Sequence, residues 1–391
     1  MKYNFDKVID RSGTSAEKVE GLKPIWGRTD LIPLWVADMD FATAPFVTDA
    51  IRKRCENEVL GYTGKPDSYY NAIINWVKQR YDLIVTKEVI NFVPGIVPGI
   101  GMAMNCFTQK GDKVMIQPPV YHPFAWVTTR NERTLVINPL KWENGMYRMD
   151  LDAFREQIKG CKLFILCNPH NPGGVVWTEA ELRAIADICY DEKVLVFSDE
   201  IHADLTLPPH THRPFATVSE KARMNSVTFM SPSKAFNMPG LSASHALIFN
   251  EDLRKRFRIY MDAGELDMGH VFAFLSVEAA YSHGTEWLDQ CLAYIQGNID
   301  FVDEFLKKHA PKIKAIRPEA SYLVWLDCRE LELSQKDLNE FFVDKAHLAL
   351  NDGEMFGKEG IGFMRLNVAS PRCIIEKAMK QLADAYQLYI K

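Results

Sequence analysis

The chain has 391 residues, 47% of them hydrophobic and 25% charged, with a net charge of −5. That length suggests about two or three domains, and the acidic balance gives a nucleic-acid partner no electrostatic support. No stretch approaches the ~20 apolar residues of a membrane span, and the start lacks the apolar core of a secretory signal.

The eight cysteines are scattered and form no Cys-x-x-Cys pair, which reads as reduced thiols in a cytoplasmic protein. Residues 1–30 show little periodicity and are expected to wrap over the rest. Residues 31–41 are apolar but carry Pro33, Asp38 and Asp40, so they read equally as a pocket lining or a surface arm. The spacing of Phe46, Val47, Ala50 and Ile51 predicts a helix over 45–58. After a turn at Gly61-Tyr-Thr-Gly64, a stripe of Tyr69, Ile73, Trp76, Val77 and Tyr81 predicts another over 68–81. Val93-Pro-Gly-Ile-Val-Pro-Gly-Ile-Gly101 then reads as a glycine-rich helix start. Its open N–H groups and positive dipole end also suit a phosphate, although Gly95, Gly99 and Gly101 spell no dinucleotide fingerprint.

From there the chain alternates. Short apolar runs at 113–117, 163–167, 194–198, 227–230 and 246–249 predict strands, with helices at 150–159 and 178–192, the second opened by a Thr178-Glu-Ala-Glu181 capping box. This pattern predicts a largely parallel sheet covered on both faces, and such sheets bind ligands beyond the carboxyl ends of their strands. After about residue 285 the texture changes to a long helix over 286–309, strands at 321–327 and 363–369, and helices at 334–346 and 371–390. This reads as a smaller α+β domain. Within its apolar strand Arg365 needs an anionic partner, either an internal carboxylate or a substrate's.

Four consecutive strand ends deliver a tyrosine (Tyr121), an asparagine (Asn171), an aspartate with a histidine (Asp199 and His202), and a lysine (Lys234). Burying a lysine ammonium is costly, and one use for a lysine so placed is as a nucleophile toward carbonyls. Each residue alone has a bland reading, but four such coincidences on one edge are much less probable than one. Together they fit pyridoxal phosphate. Lys234 is the candidate for the covalent link, and Asp199 for the partner of the pyridine nitrogen. Asn171 suits the phenolic oxygen, and Tyr121 a stacking ring. Gly95, Ile96 and Val97, with Ser231 and Ser233, suit the phosphate.

The motifs Asn168-Pro-His-Asn-Pro-Gly-Gly174, Ser198-Asp-Glu-Ile-His202 and Ser231-Pro-Ser-Lys-Ala-Phe-Asn237 resemble those of fold-type I pyridoxal-phosphate enzymes. More narrowly, the chain resembles the MalY/PatB group of cystathionine β-lyases. The likeness extends through Trp35-Val-Ala-Asp-Met-Asp-Phe41, Gly61-Tyr62, Trp287-Leu-Asp289 and Ala320-Ser-Tyr-Leu-Val-Trp-Leu-Asp327 to Phe363-Met-Arg-Leu-Asn367. The resemblance implies an α/β fold with a large cofactor-binding domain over 46–285 and a mostly parallel seven-stranded sheet. A small α+β domain would combine 1–45 with 286–391. It also implies a homodimer in which Tyr62 reaches the partner's cofactor phosphate. Ile201 and His202 join the cofactor set; Ala37, Asn171 and Arg365 form the substrate set, with Arg365 on the α-carboxylate. No metal is expected.

The implied reaction is α,β-elimination of a cysteine thioether to a thiol, pyruvate and ammonia, with Lys234, Asp199 and Tyr121 as the catalytic set. The alternatives are an aminotransferase, and a protein-binding transcriptional regulator role beside the lyase activity. Three departures stand out. Leu241-Ser-Ala-Ser-His245 replaces the arginine that many fold-type I enzymes carry after the lysine, Gly173 replaces the usual Thr or Ser, and Asn351-Asp-Gly-Glu-Met355 differs from the group's Pro-Gly pattern.

Overall fold

Residues 2–390 are described by a computed structural model. A seven-stranded sheet runs Ile90–Val93, Ser244–Leu247, Ser226–Met230, Leu195–Asp199, Cys161–Cys167, Lys113–Ile116 and Thr134–Ile137 in spatial order. The last five strands are mutually parallel, and Ser244–Leu247 is antiparallel to both of its neighbours. This is the mostly parallel sheet that the alternation predicted. Ser226–Met230 is buried at every position, which is why it reads as an unbroken apolar run rather than an alternating one. Helices Ile96–Phe107 and Glu179–Asp191 are among those that cover the sheet. The second carries the predicted capping box. Thr178 Oγ1 accepts from the Glu181 N–H at 3.2 Å, and Glu181 Oε2 accepts from the Thr178 N–H at 2.8 Å.

The second sheet is antiparallel, in the order Lys314–Ile316, Leu323–Asp327, Phe363–Asn367, Asn351–Asp352. The 25-residue helix Thr285–His309 packs against Arg372–Tyr389 beside it. Between the two sheets runs a strap. Ile32–Pro33 pairs in parallel with Leu348–Ala349, and residues 35–41 then cross to the cavity described below. One apolar core runs through both parts, from Phe5 and Trp76 to Leu323 and Leu382.

Several elements differ from the sequence expectation. The strand expected at 246–249 is Ser244–Leu247, and the helix expected over 334–346 is Gln335–Glu340 followed by a π-turn at Phe341–Lys345. Gly99 and Gly101 lie inside helix Ile96–Phe107 rather than in a turn. A Cβ on Gly99 would come within 2.9 Å of Val93 Cγ2, so this glycine permits close helix–sheet packing. Helix Val271–His283 carried no periodic signal because it is buried nearly all round. The edge strand Thr134–Ile137 is only half covered. Among the described residues, no helix is long and apolar enough to cross a membrane, no His, Cys, Asp and Glu side chains cluster as metal ligands, and all eight cysteines are free.

Candidate active site

Beyond the carboxyl edge of the large sheet lies a cavity of about 200 Å³. Tyr121 reaches it from the loop after Lys113–Ile116, Asn171 from the loop after Cys161–Cys167, and Asp199 from the last position of its strand. Ile201 and His202 follow on the next turn, and Ser233 and Lys234 enter after Ser226–Met230. Gly95, Ile96, Val97 and Ala37 complete the predicted residues that line it. The four strand ends singled out in the sequence therefore converge on one space.

Lys234 Nζ donates to the Ala37 carbonyl at 2.6 Å. Burial lowers its pKa to about 8, while the nearby Asp38 and Asp199 charges oppose the shift. Asp199 is 3% exposed, and among the described residues its carboxylate accepts one hydrogen bond, from the Ile201 N–H to Oδ1 at 3.1 Å. No cation lies within salt-bridge distance of it among the described residues, and burial pushes its carboxyl up to about 7. His202 is buried with no partner at Nδ1. Burial, with Lys234 and Arg365 nearby, lowers it to about 3, so its imidazole is neutral.

The helix beginning at Ile96 is capped by Gly95 at φ +128°, with no side-chain cap. Pro98 has no N–H, and the Gly99 N–H already bonds the Gly95 carbonyl at 3.0 Å. The Ile96 and Val97 N–H groups are thus the open donors of this turn. A buried carboxylate lacking a cation, two open amides at a helix start, and an enclosed lysine amine fit the pyridine nitrogen, phosphate and aldehyde carbon of pyridoxal phosphate.

Three predicted residues lie outside the cavity wall. Ser231 Oγ sits 2.8 Å from the Ala243 carbonyl and accepts the Ser233 N–H at 3.1 Å, so it orients Ser233. Tyr62 is 98% exposed, on the coil between Cys55 and Asp67. Arg365 is 3% exposed and donates to Asn171 Oδ1 at 3.2 Å, the Trp35 carbonyl at 3.1 Å and Asn351 Oδ1 at 2.5 Å. Its guanidinium lies 4.8 Å from the Phe356 ring centroid, and Nε has no partner. Burial lowers its pKa to about 10. The internal carboxylate that the sequence left open is absent among the described residues.

The sequence pattern assigned no role to the residues that hold the strap. Asn237 Nδ2 donates to the Met39 and Phe41 carbonyls at 3.0 and 2.7 Å. Asn367 Nδ2 donates to those of Val36 and Asp38 at 2.7 and 2.6 Å. Both asparagines lie within motifs already noted, three residues after Lys234 and two after Arg365, and that proximity was the available signal. Ser242, Ala243 and Ser244 line the cavity within the stretch that lacks the arginine. At Gly173 a Cβ would come within 2.9 Å of both His170 Nδ1 and Tyr147 Cδ2, which accounts for the missing Thr or Ser.

Residues 29–382 match the aminotransferase class I and II family. Over 384 residues the chain is 38% identical to cystathionine beta-lyase PatB of Bacillus subtilis strain 168, covering 98% of this chain and 99% of that protein. Cystalysin of Treponema denticola, whose crystal structure contains pyridoxal 5′-phosphate, superposes with a TM-score of 0.96 at 33% identity over the full length of both chains. The pyridoxal-phosphate-bound C-S lyase of Staphylococcus hominis gives 0.91 at 35% identity, covering 99% of this chain and 98% of that one. Sheet and site together define a fold-type I pyridoxal-phosphate scaffold. The chain belongs to the aminotransferase class I and II family.

Proposed function

We propose that the chain is a pyridoxal-phosphate-dependent carbon–sulfur β-lyase that cleaves L-cystathionine or related cysteine thioethers to a thiol, pyruvate and ammonia. The observation that carries the reading is the convergence of Tyr121, Asn171, Asp199, His202 and Lys234 on one cavity. Next to it stands Arg365, a buried guanidinium with no carboxylate partner among the described residues. The similarity to cystathionine beta-lyase PatB and to the C-S lyase of Staphylococcus hominis supports the lyase over an aminotransferase.

When bound, pyridoxal phosphate supplies an electron sink for the pair left at the substrate α-carbon. The Ile96 and Val97 N–H groups and Ser233 would hold its phosphate, and Tyr121 would pack against its ring. Asp199 would keep a proton at the ring nitrogen. Asn171 suits both the phenolic oxygen and, through Arg365, the substrate side. Arg365 presents a planar fork to the α-carboxylate, for which the neutral oxygens now around it are weaker partners. Lys234 takes the α-proton as general base, and burial, which lowers its pKa to about 8, raises the share of neutral amine able to do so. Once Lys234 has removed that proton, the β-carbon–sulfur bond breaks with the thiolate as leaving group.

Tyr62, Val59 and Leu60 form an exposed apolar group on one coil. This supports a homodimer in which Tyr62 serves the partner's phosphate. The function is tested by incubating the holoenzyme with cystathionine and no keto acid. Thiol and pyruvate are expected from the parent and neither from Lys234→Ala; absence of both from the parent, with cystathionine and with other cysteine thioethers alike, overturns the reading.

A further inference from the structure

Asn351 and Arg365 stand directly opposite each other on adjacent antiparallel strands. Asn351 is buried, and its Oδ1 accepts from Arg365 Nη2 at 2.5 Å. A guanidinium has only donors, so the amide must turn its oxygen toward it. Nδ2 then faces Met355 Sδ at 3.9 Å. The other two acceptors around the fork, Asn171 Oδ1 and the Trp35 carbonyl, are neutral as well.

The next residue along the strand is an aspartate. Side chains alternate across a strand, and Asp352 turns to the other face. There its Oδ1 accepts from Gln335 Nε2 at 2.5 Å and from the Glu354 N–H at 2.8 Å, and its Oδ2 from Asn339 Nδ2 at 2.6 Å. A shift of one residue in register would put this carboxylate, in place of the amide, against Arg365. Gly353 holds the register, because a Cβ there would run into the Gly360 and Phe363 carbonyls. Carboxylates on the other elements around the arginine are engaged too. On the strand at its other side Trp325 stands opposite Arg365, and Asp327 pairs with Arg329 at 2.7 Å. On the strap, Asp38 pairs with Arg11 at 2.6 Å and with Lys18 at 3.6 Å.

We propose that Asn351 is a positioning residue for substrate binding, a neutral acceptor that orients one arm of the Arg365 fork and leaves its charge to the substrate's α-carboxylate. The inference rests on the role given to Arg365 above. A carboxylate in the same place would bond the fork more strongly and compete with the substrate for it. A merely structural Asn351 would tie its short strand to the next one, and amino-acid affinity would be indifferent to the charge at that position.

Asn351→Asp in the holoenzyme separates the two. The side chain keeps its shape and an oxygen still meets Arg365, so fold and cofactor content are expected to hold, with a melting temperature at or above the parent's. L-alanine carries an α-carboxylate and no β-leaving group, and its binding is read by titrating the visible absorption band. Its affinity should fall about ten- to a hundredfold, as when charge-assisted bonds to a carboxylate are lost. KM for cystathionine should rise in step, while kcat changes much less. Parental L-alanine affinity in a folded Asn351→Asp holoenzyme overturns the proposal.

If that variant does not fold, Asn351→Leu decides. Leucine keeps the branched outline, has room in the cavity of about 410 Å³ that Asn351 lines, and lacks the acceptor. Arg365 then keeps its charge but loses the bond that orients it, and L-alanine affinity should fall about five- to tenfold at unchanged cofactor content. Parental affinity there sinks the idea. Arg365→Lys is the control arm. Unaltered L-alanine affinity in that variant removes the role of Arg365 itself, whereas an impaired Arg365→Lys beside a parental Asn351→Asp defeats only the present proposal.

Discussion

Lys234 and Tyr322 share one acceptor. The lysine Nζ lies 2.6 Å and the tyrosine hydroxyl 2.9 Å from the same Ala37 carbonyl. Tyr322 is fully buried, so its proton is committed to this bond. It holds the strap at the point where the strap meets the lysine. Tyr322→Phe removes one neutral hydrogen bond, with an expected cost of about 1 kcal/mol in stability. The amine of Lys234 then loses its fixed rest position, so kcat should fall while the cofactor still binds. Chemical denaturation and cofactor titration of the variant check both halves.

Borohydride treatment of the holoenzyme should fix the cofactor covalently to Lys234. Peptide mapping reads the site directly, and label on any other lysine removes Lys234 from the centre of the account.

Asp199 makes a prediction for the cofactor-free protein. Its carboxyl is raised from 3.8 to about 7 by burial, so the folded state holds a proton that the unfolded chain releases. The stability this provides is present below about pH 4 and is lost as pH rises through 7. Asp199→Asn avoids that loss. The cofactor-free variant should therefore be more stable than the parent at pH 8 by a few kcal/mol, about 1.4 kcal/mol for each tenfold difference in proton affinity between the folded and unfolded chain. The gap should close toward pH 4. In the holoenzyme the same variant should lose about 3–4 kcal/mol of transition-state stabilisation. Melting curves across pH and single-turnover rates test the two signs separately.

Arg365→Lys keeps the charge but not the fork. Loss of charge-assisted bonds to a carboxylate costs about 1.5–3 kcal/mol, and this should appear as weaker binding of every amino-acid substrate at unchanged cofactor content. Unaltered substrate affinity in a destabilised protein would assign the arginine to the Asn171–Asn351 network alone.

The large sheet and the residues at its strand ends were legible because fully buried parallel strands read as apolar runs, and because the residues that follow them are chemically conspicuous. Lys234, Asp199 and Asn171 were found in this way. The strap was not, since its contacts are carbonyl oxygens fixed by Asn237 and Asn367, and a carbonyl leaves no mark on a sequence. Arg365 was conspicuous, but its partners were not. Asn351 joins it through antiparallel pairing of Asn351–Asp352 with Phe363–Asn367, and no local pattern announces so short a strand. Gly173 shows the same limit, because its reason is the space taken by His170 and Tyr147.

A larger side chain at that position gives a stability test. Gly173→Thr forces His170 and Tyr147 apart and should cost about 1–3 kcal/mol by overpacking, measured by denaturant unfolding. A variant as stable as the parent would show that the two rings can move aside.

The fate of the electron pair after Lys234 has taken the α-proton separates a lyase from an aminotransferase. It is tested most directly by counting pyruvate released per active site from cystathionine, with no keto acid present. A β-lyase continues for many turnovers, with thiol, ammonia and pyruvate in equal amounts. A burst of about one equivalent that stops, then resumes when a keto acid is added, would contradict the lyase assignment and make the protein an aminotransferase.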